Sequence, residues 1–232
     1  MTESLTAIER WNRWMLLDHG SAILPSLPEL RNSYLAHSER FTHNKLYFGC
    51  GYDFDKVKYA DWDMCDVRDL PPVIPWDVLL GLPYNDGVLE LVKSKLTLGM
   101  FTWHQARFVL REVARVLKVG GTLDLTFRDF DRLLSRRDEL DDFMFNRYIY
   151  GSSLYYGSRR KSCWTRKTLL PLVAQFHLVE INETCRSRGM NTNVFLVRKP
   201  GDLSPYTPEP QVAVDPEGNF VNDGDDFHKR KK

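Results

Sequence analysis

The sequence lacks the features that define several classes of protein. Its 232 residues contain no apolar run near the roughly 18 residues that a membrane-spanning helix needs. Lysine and arginine total 32 against 31 acidic residues, so the chain has none of the overall positive charge of a basic nucleic-acid binder. The first residues, MTESLTAIERW, are polar and acidic, unlike a signal peptide. We therefore expect a soluble cytoplasmic protein, in which only a local basic patch would contact nucleic acid.

Cysteine is also scarce. The four in the chain form no CxxC pair, which excludes a zinc knuckle or a thioredoxin-type motif built from neighbouring residues: Cys50, Cys65, Cys163 and Cys185. Scattered cysteines fit a reducing compartment better than a disulfide scaffold. We predict no metal site, and a chain of this length can bury a core without metal or disulfide staples.

Hydrophobic patterning divides the chain into three parts. We predict an N-terminal helical extension over 1–44, an α/β domain over 45–199 and a flexible tail over 200–232, which is rich in proline and acid. The predicted helices cover 3–18, 26–40, 103–117 and 169–176. The predicted strands cover 45–48, 57–62, 76–79, 87–93 and 122–127, followed by a terminal pair at 177–184 and 193–197.

The spacing of the first two predicted strands conflicts with a parallel sheet. About eight residues separate them, whereas a parallel crossover normally needs a dozen or more. Either the first crossover helix is reduced to a turn, or the second strand is misplaced.

Four motifs along the domain suggest a ligand site. Gly49-Cys50-Gly51 follows the first strand, where glycines let a backbone approach a ligand closely. The dinucleotide fingerprint would need a glycine at Phe54, which counts against a nicotinamide cofactor. The second motif is the acid pair Asp61 and Asp63 at the end of the second strand, and the third is Asp77 before a Leu-Pro-aromatic turn at 82–84. The fourth motif, Arg115–Gly121, is a basic helix end followed by paired glycines.

In this order the motifs resemble the class I S-adenosylmethionine-dependent methyltransferases. The nearest likeness is a subgroup of predicted methyltransferases with GCG, an aspartate, Leu-Pro-aromatic and Arg-Val-Leu-Lys-x-Gly-Gly, and it covers roughly 45–199. It implies a Rossmann-like sheet flanked by helices and S-adenosylmethionine as cofactor. The resemblance implies that the GCG turn contacts the methionine end of the cofactor. It also implies that Asp63 binds the ribose, and that Asp77 and Val78 contact the adenine. The GCG turn comprises Gly49, Cys50 and Gly51.

The chain departs from the subgroup's pattern at four places. The acid two residues before the first glycine is Tyr47, the third motif glycine is Asp53, and the turn proline is Val119. The common Leu-Glu-His after the fourth strand is Thr97-Leu98-Gly99. These departures motivate a further hypothesis, namely a non-catalytic binding or assembly protein on a methyltransferase scaffold.

The segment 147–167 is the predicted acceptor site. It carries six positive charges and no acid, interleaved with aromatic residues. Guanidinium groups bind phosphate in pairs of hydrogen bonds and aromatic rings stack on bases or sugars. We expect a small phosphorylated or sugar-containing acceptor held by Tyr150, Arg159, Arg160 and Lys161. The alternative acceptor is nucleic acid. Asp129 is the first candidate for the catalytic base, ahead of His104 and Tyr150.

Overall fold

A computed structural model describes residues 32, 35–52, 58–151, 159–186 and 189–203. Seven strands form one sheet: β1 (Lys45–Phe48), β2 (Asp63–Asp66), β3 (Ile74–Pro75), β4 (Leu89–Lys95), β5 (Leu117–Arg128), β6 (Leu178–Arg186) and β7 (Asn191–Arg198). The sheet is accompanied by the helices α1 (Trp103–Val116), α2 (Phe130–Ser135), α3 (Asp142–Tyr150) and α4 (Arg166–Ala174). Short 3-10 turns occupy Ser38–Arg40, Val78–Leu80, Leu98–Met100 and Arg137–Glu139.

The strand order is β3-β2-β1-β4-β5-β7-β6. The first five strands are parallel to one another, and β7 lies antiparallel between β5 and β6. The predicted Rossmann-like α/β sheet, flanked by helices, is confirmed. The order reverses between β1 and β4, and in such open sheets ligands bind at the carboxyl ends of the strands beside this point.

The core lies between the sheet and helix α1. Leu46 of β1, Val92 of β4 and Leu123 of β5 are almost completely buried. The helix supplies a buried stripe at helical spacing: Ala106, Val109, Leu110, Val113 and Val116. A capping box between Thr102 and Gln105 begins this helix, because each side chain bonds the backbone N–H of the other residue.

The structure corrects the early strand boundaries. The second strand begins at Asp63, whereas 58–61 form turns, so the predicted strand over 57–62 is misplaced. Fourteen residues, 49–62, therefore separate β1 from β2, which removes the spacing conflict. The third strand is Ile74–Pro75 instead of 76–79, because Asp77 caps a 3-10 turn. The fourth strand begins and ends two residues later than predicted.

The paired glycines make a bulge in the sheet instead of ending the helix. Helix α1 ends at Val116, and β5 starts at once. Between the pairs Leu89↔Leu117 and Leu91↔Thr122 the register shifts, so extra residues of β5 bulge outward. Gly120 there has a φ of 85°, and a Cβ on Gly121 would lie 2.9 Å from the Leu89 carbonyl oxygen.

Some predictions lie outside the described residues. These are the helix over 3–18, most of the helix over 26–40, and the tail beyond 203. The division into three parts stays a prediction. Among the described helices, none has the length and apolar character that a membrane span requires.

Candidate functional site

The loops after β1 and β4 pack tightly at the carboxyl edge of the sheet. Gly49 and Gly51 have φ values of 62° and 56°, a region that favours glycine. A Cβ on Gly49 would lie 2.3 Å from Oγ1 of Thr97, and that hydroxyl donates to the Gly49 carbonyl at 3.1 Å. Cys50 between the glycines is buried. The GCG turn is therefore held against the β4 loop with no room for a side chain at its first position.

Asp66 ends β2 beside this turn. Its Oδ2 accepts a hydrogen bond from the Gly51 backbone N–H at 2.8 Å. Its Oδ1 accepts from the Arg68 backbone N–H at 3.0 Å and from Arg68 Nε at 2.9 Å. Arg68 Nη2 adds a longer bond to Oδ2 at 3.3 Å. A buried carboxylate thus stands at the carboxyl edge of the sheet, covered by one guanidinium.

Asp63, the predicted ribose ligand, lies at the opposite end of β2. It begins the strand and pairs in register with Leu46, so it is about 10 Å along the strand from Asp66. Its oxygens accept from the His43 backbone N–H at 2.8 Å and from the Tyr84 hydroxyl at 2.7 Å. His43 Nδ1 lies 2.7 Å from the other oxygen. The structure therefore separates Asp63 from the GCG turn and gives it local partners.

Asp77 lies between β3 and the 3-10 turn Val78–Leu80 and is 3% exposed. Its Oδ1 accepts from the Leu79 backbone N–H at 2.8 Å. Its Oδ2 is buried and has no hydrogen-bond partner among the described residues. Burial raises the pKa of Asp77 to about 7, while the Leu79 N–H and the charge of Lys161 oppose that rise. Val78, the other predicted adenine contact, is buried next to it.

The described part of the segment 147–167 crosses the carboxyl ends of β4 and β5. The Lys161 backbone N–H donates to the Gly99 carbonyl at 2.8 Å, and the Phe130 N–H donates to the Trp164 carbonyl at 2.8 Å. Trp164 is fully buried, with its ring 4.0 Å from that of Trp103. These contacts place Arg160 over the β4 loop.

The structure gives the four predicted acceptor residues different surroundings. Arg160 is mostly buried and lines a pocket with Arg128, Tyr148, Ser162 and other residues. In contrast, Arg159, Lys161 and Tyr150 are exposed. The segment therefore contributes one buried guanidinium to the edge of the sheet, and its other predicted ligands face outward.

Asp129, the predicted base, follows β5 and caps helix α2. Its Oδ1 accepts from the Asp131 backbone N–H at 3.2 Å, and its Oδ2 accepts from the Thr192 hydroxyl at 2.8 Å. Arg132 Nε lies 3.5 Å from Oδ2. The carboxylate lies at the expected edge of the sheet, is 3% exposed, and is engaged on both oxygens.

Two residues of this edge were missed by reasoning from the sequence. Asp66 was missed because the second strand was placed six residues too early, and a crossover of normal length would have pointed to it. Arg128 was missed because it ends β5 just beyond the predicted strand and lies outside the basic segment. Its position immediately before Asp129, at the end of an apolar strand, was the available signal.

No family model matches the sequence, and no curated protein matches it. Solved structures match it in fold. A Burkholderia thailandensis 1,6-didemethyltoxoflavin-N1-methyltransferase, solved with S-adenosylhomocysteine, is 11% identical over 83% of this chain and 85% of that one, with a TM-score of 0.47. A Pyrococcus horikoshii protein is 16% identical over 78% and 94%, with a TM-score of 0.47. A Thermotoga maritima S-adenosylmethionine-dependent methyltransferase is 14% identical over 83% and 96%, with a TM-score of 0.44. These likenesses concern the fold alone.

Proposed function

We propose that the protein is an S-adenosylmethionine-dependent methyltransferase. The observation that carries the proposal is the unsatisfied Oδ2 of Asp77. A buried carboxylate oxygen without a donor is costly, and an amino group of a ligand would satisfy it. It lies in the same carboxyl half of the sheet as Asp66 and the GCG turn, where an open α/β sheet binds its ligands.

The residues present fit an adenosyl cofactor. Asp77 would accept from the adenine amino group, with Val78 beside it. Asp66 would accept from the ribose hydroxyls in place of Asp63, once the Arg68 side chain moves aside. Gly49, Cys50 and Gly51 would lie along the methionine end, because the turn presents backbone instead of side chains. We do not carry Asp63 forward, since its oxygens already bond His43 and Tyr84.

When bound, this cofactor supplies a methyl group that is already activated. The protein then needs mainly to orient an acceptor and to receive a proton from it. Asp129 is better suited to a positioning role than to the proton transfer that its place in the sequence suggested. Its bonds to Asp131 and Thr192 join the end of β5 to α2 and β7. Both oxygens would have to exchange these bonds before the carboxylate could accept a proton from an acceptor.

For the acceptor we propose a small phosphorylated or sugar-containing molecule in the cytoplasm. The absence of acid from 147–167 and the buried guanidinium of Arg160 support this choice. Methylation of nucleic acid is the second candidate, favoured by the exposed Tyr150 and Arg159 on the same segment. The two differ in salt dependence, because a strand that contacts several phosphates loses affinity steeply as salt rises.

Calorimetric titration with S-adenosylmethionine and S-adenosylhomocysteine tests the cofactor assignment. We expect the wild type to bind, and Asp66→Ala and Asp77→Asn each to weaken binding about tenfold or more, since each removes an acceptor for a ligand donor. Asp63→Asn is the matched control, because Asp63 is equally buried on the same strand as Asp66 but lies at its other end.

The control should keep cofactor affinity while losing some stability. A folded wild type that gives no binding heat would refute the enzyme proposal and leave the non-catalytic scaffold. Equal losses in Asp63→Asn and Asp66→Ala would refute the assignment of residues.

A further inference from the structure

Two guanidinium groups meet in one pocket without a carboxylate. Arg128 at the end of β5 and Arg160 before α4 both line it. Among the described residues neither forms an ion pair, and the Nε atom of each is buried without a hydrogen-bond partner. Most other arginines of the described chain that are comparably buried, such as Arg68 and Arg115, bond directly to a carboxylate.

Two buried guanidinium groups side by side are electrostatically unfavourable. Burial lowers the pKa of both arginines, and the charge of Arg160 lowers that of Arg128 further, to about 10. With a pKa of about 10, Arg128 stays positively charged at neutral pH. The ring of Tyr148, 4.2 Å from the Arg128 guanidinium, compensates only in part. The segment 152–158, which connects α3 to Arg159, contains no aspartate or glutamate that could complete an ion pair.

The fold makes specific room for Arg160. A Cβ on Gly99 would lie 2.9 Å from Arg160 Nη1, so the side chain occupies the space that a larger residue would fill. This glycine stands where the methyltransferase subgroup has the last residue of Leu-Glu-His. The neighbouring backbone is fixed by the bond from Lys161 N–H to the Gly99 carbonyl at 2.8 Å. The Trp164 indole donates to Ser162 Oγ at 2.7 Å, and both residues line the pocket.

We infer that Arg128 and Arg160 together bind the oxyanion of the methyl acceptor, a phosphate or carboxylate group. The identification of the bound molecule as the methyl acceptor rests on the proposed function. The binding of an anion rests on the pocket alone. Paired guanidiniums match the oxygens of such groups, and burial strengthens each charge-assisted bond. The hydroxyl of Ser162 and the ring of Tyr148 border the same space.

The position of the pocket favours the acceptor over the cofactor as its occupant. Asp66 and Asp77, the proposed ribose and adenine ligands, lie beside β2 and β3, on one side of the point where the strand order reverses. Arg128 and Gly99 follow β5 and β4, on the other side. A ligand held at both places would span the crevice, which places the anion away from the adenosyl end.

Titration with inorganic phosphate and with acetate, in the full chain, tests the site. We expect saturable binding that Arg128→Gln and Arg160→Gln each weaken about tenfold, the usual loss for one charge-assisted hydrogen bond. Arg40→Gln is the matched control, since Arg40 is exposed and lies outside both the pocket and the segment 147–167, and it should bind as the wild type does. A preference for phosphate or for acetate identifies which oxyanion the pocket suits.

Gly99→Ala provides an independent arm. The added methyl should displace the end of the Arg160 side chain and weaken anion binding several-fold, while far-ultraviolet circular dichroism shows an intact fold. Equal anion binding in the wild type and both glutamine variants would overturn the inference. Binding that Arg40→Gln weakens as much as Arg160→Gln would also overturn it, because a diffuse surface charge would then explain the effect.

Titration of the same variants with S-adenosylhomocysteine separates the two proposals. Unchanged cofactor affinity in Arg128→Gln and Arg160→Gln supports an acceptor role for the pocket. Anion binding by a protein that binds no cofactor would refute the proposed function and with it the acceptor role. A single-stranded oligonucleotide that displaces phosphate with a steep salt dependence would overturn the small-molecule assignment in favour of nucleic acid.

Discussion

At the scale of single residues, Asp77 and Asp66 show two ways to keep a carboxylate at the proposed cofactor site. Asp77 is buried with one oxygen unused, so its charge is disfavoured until a donor arrives. Asp66 is buried with its oxygens engaged by the Gly51 N–H and Arg68, so its charge is compensated in advance. We therefore expect the effect of Asp77 to depend on pH, and the effect of Asp66 to depend on the presence of Arg68.

Asp77 should make both stability and cofactor binding depend on pH. Its pKa is about 7 when folded against 3.8 for the free group, so the folded chain holds a proton that the unfolded chain releases between these values. The free energy of unfolding should therefore fall as pH rises from about 4 to 7, by at most about 4 kcal/mol from this group. Asp77→Asn should remove that contribution, as measured by urea unfolding at several pH values.

Cofactor affinity should change in the opposite direction. An ionised Asp77 accepts a hydrogen bond from an amino group better than a protonated one, so affinity should rise between pH 6 and 8 in the wild type. In Asp77→Asn the affinity should be lower and flat with pH. An identical pH profile in both proteins would contradict the role of this carboxylate.

Removal of the Arg68 side chain should increase cofactor affinity. The guanidinium bonds both oxygens of Asp66 and must yield them before a ribose can bind there. Because a partly exposed ion pair is worth about 1 kcal/mol or less, we expect Arg68→Ala to improve the dissociation constant by a few-fold. Arg136→Ala, which removes an exposed ion pair with Glu139, is the control. A loss of affinity in Arg68→Ala would instead make Arg68 a cofactor ligand.

At the scale of elements, helix α1 fixes the segment 82–86. Arg115 donates to the carbonyls of Leu82 at 2.9 Å and Tyr84 at 2.8 Å. The same guanidinium bonds both oxygens of Glu112, at 2.8 and 2.9 Å. Glu112 in turn accepts from the Leu82 backbone N–H at 3.1 Å. Arg115, the first residue of the motif Arg115–Gly121, thus joins the helix to the Leu-Pro-aromatic turn.

Substitution of Arg115 should destabilise the protein even when the charge is kept. Lysine cannot reproduce the planar fork that reaches two carbonyls and a carboxylate at once. We expect Arg115→Ala to cost about 2–3 kcal/mol in urea unfolding, because Glu112 is left buried without its cation. Arg115→Lys should cost about 1–2 kcal/mol, because the carbonyls of Leu82 and Tyr84 lose donors. Lys118→Ala, which removes an exposed pair with Glu90, should cost less than about 0.5 kcal/mol. Wild-type stability in Arg115→Lys would contradict this account.

The elements also show what a sequence can predict. Helical periodicity located α1, which buries one face against the sheet. Short apolar runs located β1 and β4 to within two residues, whereas β5 starts five residues earlier than predicted. The two short strands β2 and β3 were misplaced, since Asp63–Asp66 and Ile74–Pro75 carry no such pattern. The correction of the second strand therefore also changed the proposed ribose ligand from Asp63 to Asp66. Contacts between distant segments, such as Arg160 with Gly99, leave no periodic signal at all.

At the scale of the whole molecule, charge is distributed by function. The chain is nearly neutral. Among the described residues Arg128 and Arg160 form no ion pair, and the Nε atom of each is buried without a hydrogen-bond partner. Other described arginines, such as Arg68, Arg115 and Arg166, each bond a carboxylate. Positive charge confined to one pocket attracts an anion there without causing non-specific binding of anions over the whole surface. The phosphate titration is therefore a measurement on the entire charge arrangement as well as on two side chains.

The place of β7 between β5 and β6 has a consequence for protein synthesis. The ribosome releases β6 before β7, yet the described sheet gives β6 only β7 as a neighbour. During translation β6 therefore has no strand to pair with, and one edge of β5 remains unpaired, until the chain has emerged as far as Arg198. Arg198 then bonds the Ala114 carbonyl at 3.1 Å and the Gly201 carbonyl at 2.8 Å, which ties the last strand to α1. Closure of this sheet is a late event in the life of the nascent chain.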